Sequence, residues 1–213
     1  MVRTFEPDYV DTEPPEINFI VVKDHEISEI QYNQSKRTWN RFAPLFSVVR
    51  NDAIIPSTLN DADRNTPLNF FRKAPNKEWQ CWREFTETEK CIWYSHAAMW
   101  KKCIDEDKPI IVLEQDCVLL SDLNWKIFAK WEMVCFSSYK EKAWPANGYY
   151  ITPTAAKFLL RVKDPIDHNV DSWIDLVCKN IGEYRFFAKH LSTVGNGVII
   201  HSSHIINEEF RKL

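Results

Sequence analysis

Short apolar runs alternate along the chain with longer segments in which apolar residues recur every three or four positions. Residues 17–22 form the first apolar run, residues 28–43 carry a helical pattern, and residues 45–49 form a second apolar run. Such runs predict buried strands, and a period of three to four residues predicts an amphipathic helix. A strand, a helix and a strand joined by short links predict a β-α-β unit with parallel strands.

The most regular helical pattern spans residues 86–107 and precedes an apolar strand at residues 110–113. Thr86 and Glu89 have the spacing of a capping box, which favours a helix start at this point. The residues predicted to share one face of this helix are Ile92, His96, Met99 and Cys103. This helix and strand predict a further connection into the same sheet.

The rest of the chain completes the prediction of an α/β fold. Residues 51–85 contain three prolines and are predicted to be irregular. Further helices are predicted at residues 121–130, 153–162 and 169–181, and further strands at residues 133–136, 148–152 and 197–206. The acidic residues 1–16 are predicted to form an extended arm, and residues 17–213 a single Rossmann-like domain. Its central sheet is predicted to be mostly parallel and flanked by helices, and ligands bind such sheets beyond the carboxyl ends of the strands.

Composition narrows the class of protein. A chain of 213 residues that is 45% hydrophobic and 14% aromatic is sufficient for one packed domain. The formal net charge of -3 does not indicate a nucleic-acid binder. The six cysteines include no C-x-x-C pair, and the acidic N-terminus does not resemble a signal peptide, so we expect a cytoplasmic protein. No apolar run approaches the ~18 residues of a membrane span.

Two carboxylates follow the strand at residues 110–113, in the tripeptide Glu114-Gln115-Asp116. Side chains two positions apart project from the same side if the backbone stays extended, and like charges so placed repel each other. A divalent cation that bridges the carboxylates to phosphate oxygens removes this repulsion, because Mg²⁺ and Mn²⁺ prefer hard oxygen ligands. The alternative interpretation is a solvated turn in which Asp116 caps the following segment.

Four blocks of sequence together resemble glycosyltransferase family 25, the lipooligosaccharide and procollagen galactosyltransferase group. They are the helical TEKCIWYSHAAMW at residues 88–100, LEQDC at residues 113–117, NGYYITPTAAKFLL at residues 147–160 and PIDHNVDSWI at residues 165–174. The blocks follow the order in which the family has them. Thr88 and Cys91 stand where the family has glycines, Gln115 replaces an acidic residue, and Gly148 remains of a pair of glycines. These departures imply a reshaped donor pocket.

The resemblance implies a GT-A fold, a nucleotide-sugar donor, Mn²⁺ or Mg²⁺ as the cofactor, and inversion at the transferred sugar. In this interpretation Asp116 binds the metal, and Glu114 helps through the metal's water shell or holds the ribose of the donor. His201 is a further candidate metal ligand, because its side chain could complete the metal site. The candidate donor-binding positions are Val22, Lys23, Arg37, Glu89, Ser95, Glu114 and Asn147. A carboxylate must take the proton of the acceptor hydroxyl, and Asp167 is our first choice and Asp171 our second.

Several of these residues also have a purely structural interpretation. Glu89 is expected to close the capping box whether or not it binds a ligand. His96 lies on an apolar stripe, where a hydrogen-bonded core histidine is more common than a ligand. Lys23 and Arg37 fit a solvated face as well as a phosphate site.

Residues 69–85 mix aromatic residues with basic ones, and this mixture suits an acceptor that stacks and carries phosphates. We favour 5-hydroxymethylcytosine in bacteriophage DNA as the acceptor, in the host cytoplasm, and such a base must first be flipped out of the duplex. Sugars also stack on aromatic faces, so a lipooligosaccharide or another glycan is the alternative acceptor. A core-covering loop is the structural alternative for this segment. The replacement at Gln115 also leaves open a nucleotide-sugar-binding module without catalysis.

Overall fold

The computed structural model describes residues 13–66, 69–73, 80–136, 145–160, 170–184, 188–194 and 198–201. The strands are β1 Glu16–Val21, β2 Val48–Asp52, β3 Asn69–Lys73, β4 Gln80–Glu84, β5 Ile110–Glu114, β6 Cys117–Leu119, β7 Met133–Cys135, β8 Gly148–Ile151, β9 Gly182–Tyr184, β10 Ala188–Val194 and β11 Val198–His201. The helices are α1 Glu26–Phe42, α2 Asp61–Asn65, α3 Glu87–Asp105, α4 Pro153–Leu160 and α5 Val170–Ile181, with 3-10 turns at Trp125–Lys130 and Pro145–Asn147.

A six-stranded sheet in the order β2-β1-β5-β8-β7-β9 forms the centre of the protein. The pairs β1–β2, β1–β5 and β7–β9 are parallel, whereas β8 is antiparallel to both of its neighbours. Five strands therefore run in one direction and β8 runs in the other. This arrangement confirms the predicted α/β class with a mostly parallel sheet. Two smaller sheets, β11-β10-β6 and the hairpin β3-β4, lie outside it.

Helices cover both faces of the central sheet. Alternation along β5 directs Ile110 and Val112 into the core cluster beneath α3, and Ile111 and Leu113 into the cluster beneath α1. A strand buried on both faces reads as a continuous apolar run, which is why β5 was predicted to within one residue. None of the described helices has both the length and the apolar character that crossing a membrane requires.

The structure confirms the capping box of α3. The Glu89 amide donates to Thr86 Oγ1 at 3.2 Å, and the Thr86 amide donates to Glu89 Oε2 at 2.9 Å. His96, Met99 and Cys103 are buried as predicted, but Ile92 is 40% exposed. The buried stripe is centred on the two tryptophans Trp93 and Trp100, seven residues apart, and Ile92 falls at its border.

The segment predicted to be irregular contains regular structure that proline content alone did not indicate. β3 and β4 form an antiparallel hairpin in which Phe71 is opposite Trp82 and Phe70 is opposite Arg83. β2 also begins three residues later than predicted and continues through Arg50 to Asp52. Because β2 is an edge strand, its charged residues have access to solvent and to ion-pair partners.

The buried face of α1 is mostly polar. Its buried residues are Ser28, Gln31, Tyr32, Ser35, Thr38 and Trp39. Two of these side chains bond to the backbone of other segments: Ser28 Oγ accepts the Val22 amide at 3.0 Å, and Thr38 Oγ1 accepts the Leu119 amide at 3.0 Å. The helix is therefore attached to its surroundings by directional hydrogen bonds as well as by apolar contact.

Candidate functional site

The carboxyl ends of three parallel strands meet at one edge of the sheet. The register places Glu114 of β5 opposite Ile20 of β1, and Asp52 of β2 opposite Val21. Ligands of open α/β sheets bind beyond this kind of edge. We therefore call this edge, with the residues that follow β1, β2 and β5, the carboxyl edge.

The tripeptide Glu114-Gln115-Asp116 lies at the carboxyl edge but is not extended throughout. β5 ends at Glu114, and Gln115 and Asp116 form a turn that leads directly into β6. The side chain of Glu114 is 28% exposed, whereas Asp116 is 6% exposed. The two carboxylates therefore occupy different environments, one open to solvent and one buried.

Two hydrogen bonds between α1 and β6 fix the strand that follows Asp116. The indole Nε1 of Trp39 donates to the Cys117 carbonyl at 2.8 Å, and the Leu119 amide donates to Thr38 Oγ1 at 3.0 Å. Burial raises the pKa of the Cys117 thiol, and the charges of Asp116 and Glu114 raise it further. Both carboxylates thus disfavour ionisation of the buried Cys117 thiol, and α1 fixes the backbone of this residue.

Strand β8 brings a second group of residues to the same edge. Because β8 is antiparallel to β5, its first residue, Gly148, lies opposite Leu113 next to the end of β5. A Cβ atom at Gly148 would lie 2.8 Å from Cys117 Sγ, so any other residue at this position would force the sulfur on β6 to move. Asn147, one residue earlier, is 1% exposed, and its Oδ1 has no hydrogen-bond partner among the described residues. A buried carbonyl oxygen of this kind is expected to bind something.

A chain of polar side chains connects Glu114 with the core under α3. Nε2 of His96 lies 3.6 Å from Oε1 of Glu114, and Nδ1 of the same ring lies 2.9 Å from the hydroxyl of Tyr149. Nε1 of Trp100 donates to that hydroxyl at 2.8 Å. The interpretation of His96 as a hydrogen-bonded core residue is therefore correct, but its second nitrogen faces the carboxyl edge.

The second-choice base is close to this group. Oδ1 of Asp171, in the first turn of α5, accepts a hydrogen bond from the Ala146 amide at 3.0 Å. Asp171 is thereby attached to the turn that carries Asn147. The first-choice base, Asp167, lies outside the described residues.

The remaining predicted donor-binding residues are dispersed over several elements. Val22 and Lys23 directly follow β1 at the carboxyl edge. The hydroxyl of Ser95 accepts the Ile54 amide at 2.9 Å and donates to the Cys91 carbonyl at 2.7 Å, so it positions the segment that follows β2. Arg37 is exposed on α1, two residues from the buried Trp39. Glu89 forms the capping box described above, and donor binding by these residues stays a prediction.

The backbone of β11 places His201 in register with this region. β6 pairs with β10 through Cys117 and His190, and the next residue of β10, Leu191, pairs with His201. Leu191 and His201 are therefore paired one residue further along the small sheet than Cys117, at the level of Asp116. A role for His201 as a ligand stays a prediction.

The described donor set fits a hard divalent cation that keeps open coordination positions. No cluster of three or more His, Cys, Asp or Glu side chains suited to a metal occurs among the described residues. Two carboxylates and the Asn147 carbonyl oxygen are hard ligands, and Mg²⁺ is commonly held by one or two carboxylates plus substrate phosphates. The arrangement therefore suits a metal that arrives with a phosphate ligand.

Three buried aromatic residues support the site from the core side, and the sequence pattern did not reveal this. Trp39 and Trp100 fall within segments predicted to be helical and Tyr149 within a predicted strand, and none of the three was given a role in the site. The available signal was their polar atoms, because a buried indole N–H or phenol hydroxyl usually has a hydrogen-bond partner. Their partners, however, are 78 and 49 residues away in the sequence, so the pattern of one element does not identify them.

Comparison with known proteins gives one match. The model of the family described as "Glycosyltransferase family 25 (LPS biosynthesis protein)" matches residues 40–131. The matched segment includes α3, β5 and the Glu114-Gln115-Asp116 turn, and it confirms the predicted resemblance there. No curated protein and no solved structure matches the chain. The match supports glycosyltransferase activity in general.

Proposed function

We propose that this chain, whose residues 40–131 match glycosyltransferase family 25, transfers a sugar from a nucleotide-sugar donor to an acceptor hydroxyl with the help of Mn²⁺ or Mg²⁺. The observation that carries this proposal is the convergence of Glu114, Asp116 and Asn147 at the carboxyl edge. Two of these three polar side chains, Asp116 and Asn147, are buried at this end of the sheet. A metal-diphosphate ligand accounts for all three.

In this proposal each residue has a separate task. Asp116 and the Asn147 carbonyl oxygen would hold the metal, and the metal would supply positive charge to balance that of the departing diphosphate. Glu114, the more exposed carboxylate, binds the donor, and Val22 and Lys23 border the nucleotide. His201 is the candidate for a further metal ligand.

The acceptor hydroxyl requires a base, because an alcohol is a weak nucleophile at neutral pH. Asp171 is supported by its attachment to the turn that carries Asn147. It lies in the first turn of α5, where the helix dipole stabilises a carboxylate. Asp167 remains the alternative. Transfer directly from donor to acceptor inverts the sugar, and inversion is the outcome that we propose.

The hairpin β3–β4 is the proposed acceptor-binding element. Its register combines aromatic and basic residues across the two strands, and its last residue is anchored: Nζ of the buried Lys90 donates to Glu84 Oε1 at 3.0 Å and to the Arg64 carbonyl at 2.8 Å. Basic and aromatic residues together suit DNA, and 5-hydroxymethylcytosine supplies a hydroxyl acceptor. A glycan is the second candidate, because the matching family model is described as an LPS biosynthesis protein.

We also propose a cytoplasmic location. The five described cysteines are all buried, and no disulfide occurs among the described residues. Proteins of reducing compartments keep their thiols in this state.

The decisive experiment measures release of nucleoside diphosphate from UDP-, GDP- and CDP-sugars, with Mn²⁺ or with chelator. Each reaction contains hydroxymethylcytosine DNA or lipooligosaccharide as the acceptor. The test variant is Asp116→Asn, and the matched control is Asp122→Asn, which changes an exposed carboxylate of the same segment. We expect metal-dependent release with one acceptor, loss of release in Asp116→Asn and normal release in the control.

Two outcomes would contradict the proposal in different ways. Binding of a nucleotide sugar without release under any condition would identify an inactive binding module, as the replacement at Gln115 suggests. Release of nucleoside diphosphate that persists in chelator and in Asp116→Asn would show that the reaction does not need a metal.

A further inference from the structure

The deeply buried side chains next to Glu114 are a polar cluster inside an apolar core. His96, Trp100 and Tyr149 are each at most 1% exposed, and all three carry a polar atom. The rings of His96 and Tyr149 stack with centroids 5.8 Å apart, which leaves each ring little freedom to turn. The cluster ends at the Glu114 carboxylate, so the donor and acceptor roles within it determine what His96 presents to the candidate site.

The chemistry of the members of this cluster favours one position for each hydrogen. An indole N–H can only donate, so Trp100 Nε1 must donate to the Tyr149 oxygen. The hydroxyl hydrogen is then available for the other neighbour of that oxygen, His96 Nδ1, at 2.9 Å. The phenolic hydroxyl of a tyrosine carries its hydrogen at neutral pH. A neutral histidine that accepts at Nδ1 carries its own hydrogen on Nε2.

That Nε2 hydrogen is on the side of the ring that faces the carboxyl edge. The distance of 3.6 Å to Glu114 Oε1 exceeds a hydrogen bond. A small rotation of the partly exposed Glu114 side chain brings the two atoms within bonding distance, and hydrogen bonds of an active site often shorten when the substrate binds.

We infer that His96 is a positioning residue, which holds Oε1 of Glu114 and directs the other carboxylate oxygen to a ribose hydroxyl of the donor. This inference rests on the proposed function, and it assigns Glu114 to the nucleotide rather than to the metal. Tyr149 and Trp100 act one step further away, because they determine which nitrogen of His96 carries the hydrogen. The expected effect of losing His96 is on donor affinity, whereas the chemical step is retained.

Two substitutions separate this role from a structural one. In His96→Gln the amide group reaches the position of Nε2 and can still donate to Glu114, but Tyr149 loses its acceptor. In His96→Asn the amide reaches the position of Nδ1, so the acceptor for Tyr149 is kept and the donor to Glu114 is lost. Cys103→Ala serves as the control, because it disturbs the same buried face of α3 away from Glu114.

Titration calorimetry with UDP, GDP and CDP in the presence of Mn²⁺ measures donor affinity. We expect His96→Asn to bind the preferred nucleotide about tenfold more weakly than the wild type, the size expected for one hydrogen bond to a charged group. His96→Gln and Cys103→Ala should bind within about threefold of wild type, a difference below the net worth of one hydrogen bond. In the release assay His96→Asn should raise the donor KM and leave kcat within about twofold. The reason is that the lost interaction stabilises the bound donor equally in the ground state and in the transition state. Long-range proton–nitrogen NMR, assigned by the signal missing in His96→Gln, should show the hydrogen of His96 on Nε2.

The possible failures are distinguishable. If the wild type binds a nucleotide but His96→Asn binds as well as or better than His96→Gln, the inference is wrong and the proposed function stands. A hydrogen on Nδ1 in the NMR spectrum would also overturn the inference. If the wild type binds none of the nucleotides, the proposed function fails and the positioning role fails with it.

Discussion

Substitution of Gly148 by alanine tests whether the site depends on close contact between β8 and β6. The added Cβ would lie 2.8 Å from Cys117 Sγ, 3.1 Å from Leu113 Cδ2 and 3.2 Å from Phe136 Cδ2. Ordinary contacts to such atoms begin at about 3.4 Å, so at least the sulfur must move. Cys117 directly follows Asp116, and any shift of β6 therefore reaches the buried carboxylate.

The size of the effect can be estimated from the packing. Inserting a methyl group into a filled core costs about 1–3 kcal/mol, a large part of the ~5–15 kcal/mol by which domains are stable. For a chain of this length, ~2 kcal/mol lowers Tm by about 4–8 °C. Cys117→Ala alone removes one buried atom and should cost ~1 kcal/mol. In the double variant the new methyl group enters the space left by the sulfur, so the combined loss should be smaller than the sum by ~1 kcal/mol or more.

Urea unfolding followed by tryptophan fluorescence measures all four proteins of this cycle, because Trp39 and Trp100 are fully buried. Calorimetric titration with Mn²⁺ and UDP measures the site in the same samples. We expect Gly148→Ala to weaken both stability and ligand binding, and the double variant to recover both. Additive losses of stability, or a normal site in Gly148→Ala, would refute the argument that this glycine admits β6.

Three further predictions concern parts of the structure described above. Trp39→Phe keeps most of the ring but leaves the Cys117 carbonyl without its donor, which should lower the free energy of unfolding by ~1–3 kcal/mol in urea titrations, and an unchanged midpoint would contradict the observed bond. The hydrogen bond from Arg50 lowers the pKa of Glu29, so this contribution to stability is complete above the ordinary carboxyl pKa and is lost as the pH falls through the lowered value. Glu29→Gln should therefore be less stable than wild type at neutral pH, and the difference should vanish in acid. Burial raises the pKa of Cys103 to about 12, so this thiol should resist alkylation at pH 8 until the protein is unfolded, as peptide mass spectrometry can show.

The parts of the fold that could be predicted are those in which burial alone determines the residue pattern. β1 and β5 are buried on both faces and were located to within one residue. β2 was displaced because Arg50 and Asp52 look like loop residues, although Arg50 forms an ion pair with Glu29 on α1. An edge strand can contain such charges, and no apolar periodicity reveals that they belong to a sheet.

The candidate site divides in the same way. Glu114 and Asp116 are two positions apart in the sequence, so their shared location at the end of β5 was predicted without a structure, but the burial of Asp116 was not. The arrival of Asn147 beside them depends on β8 running against the other strands, and the attachment of Asp171 to the same turn depends on its hydrogen bond with the Ala146 amide. These are relations between distant segments, and neither hydrophobic pattern nor spacing encodes them.

The polar buried face of α1 has a consequence for how reproducibly the site forms. Hydrophobic burial has no preferred direction, so by itself it defines the rotation of a helix less sharply than hydrogen bonds do. The face of α1 binds Val22, Leu119 and the Cys117 carbonyl through Ser28, Thr38 and Trp39, and all three bonds are satisfied in one angular setting. The three hydrogen bonds together fix the rotation of α1, and two of them fix β6. The turn that carries Asp116 leads directly into β6, so its position depends on the orientation of this helix.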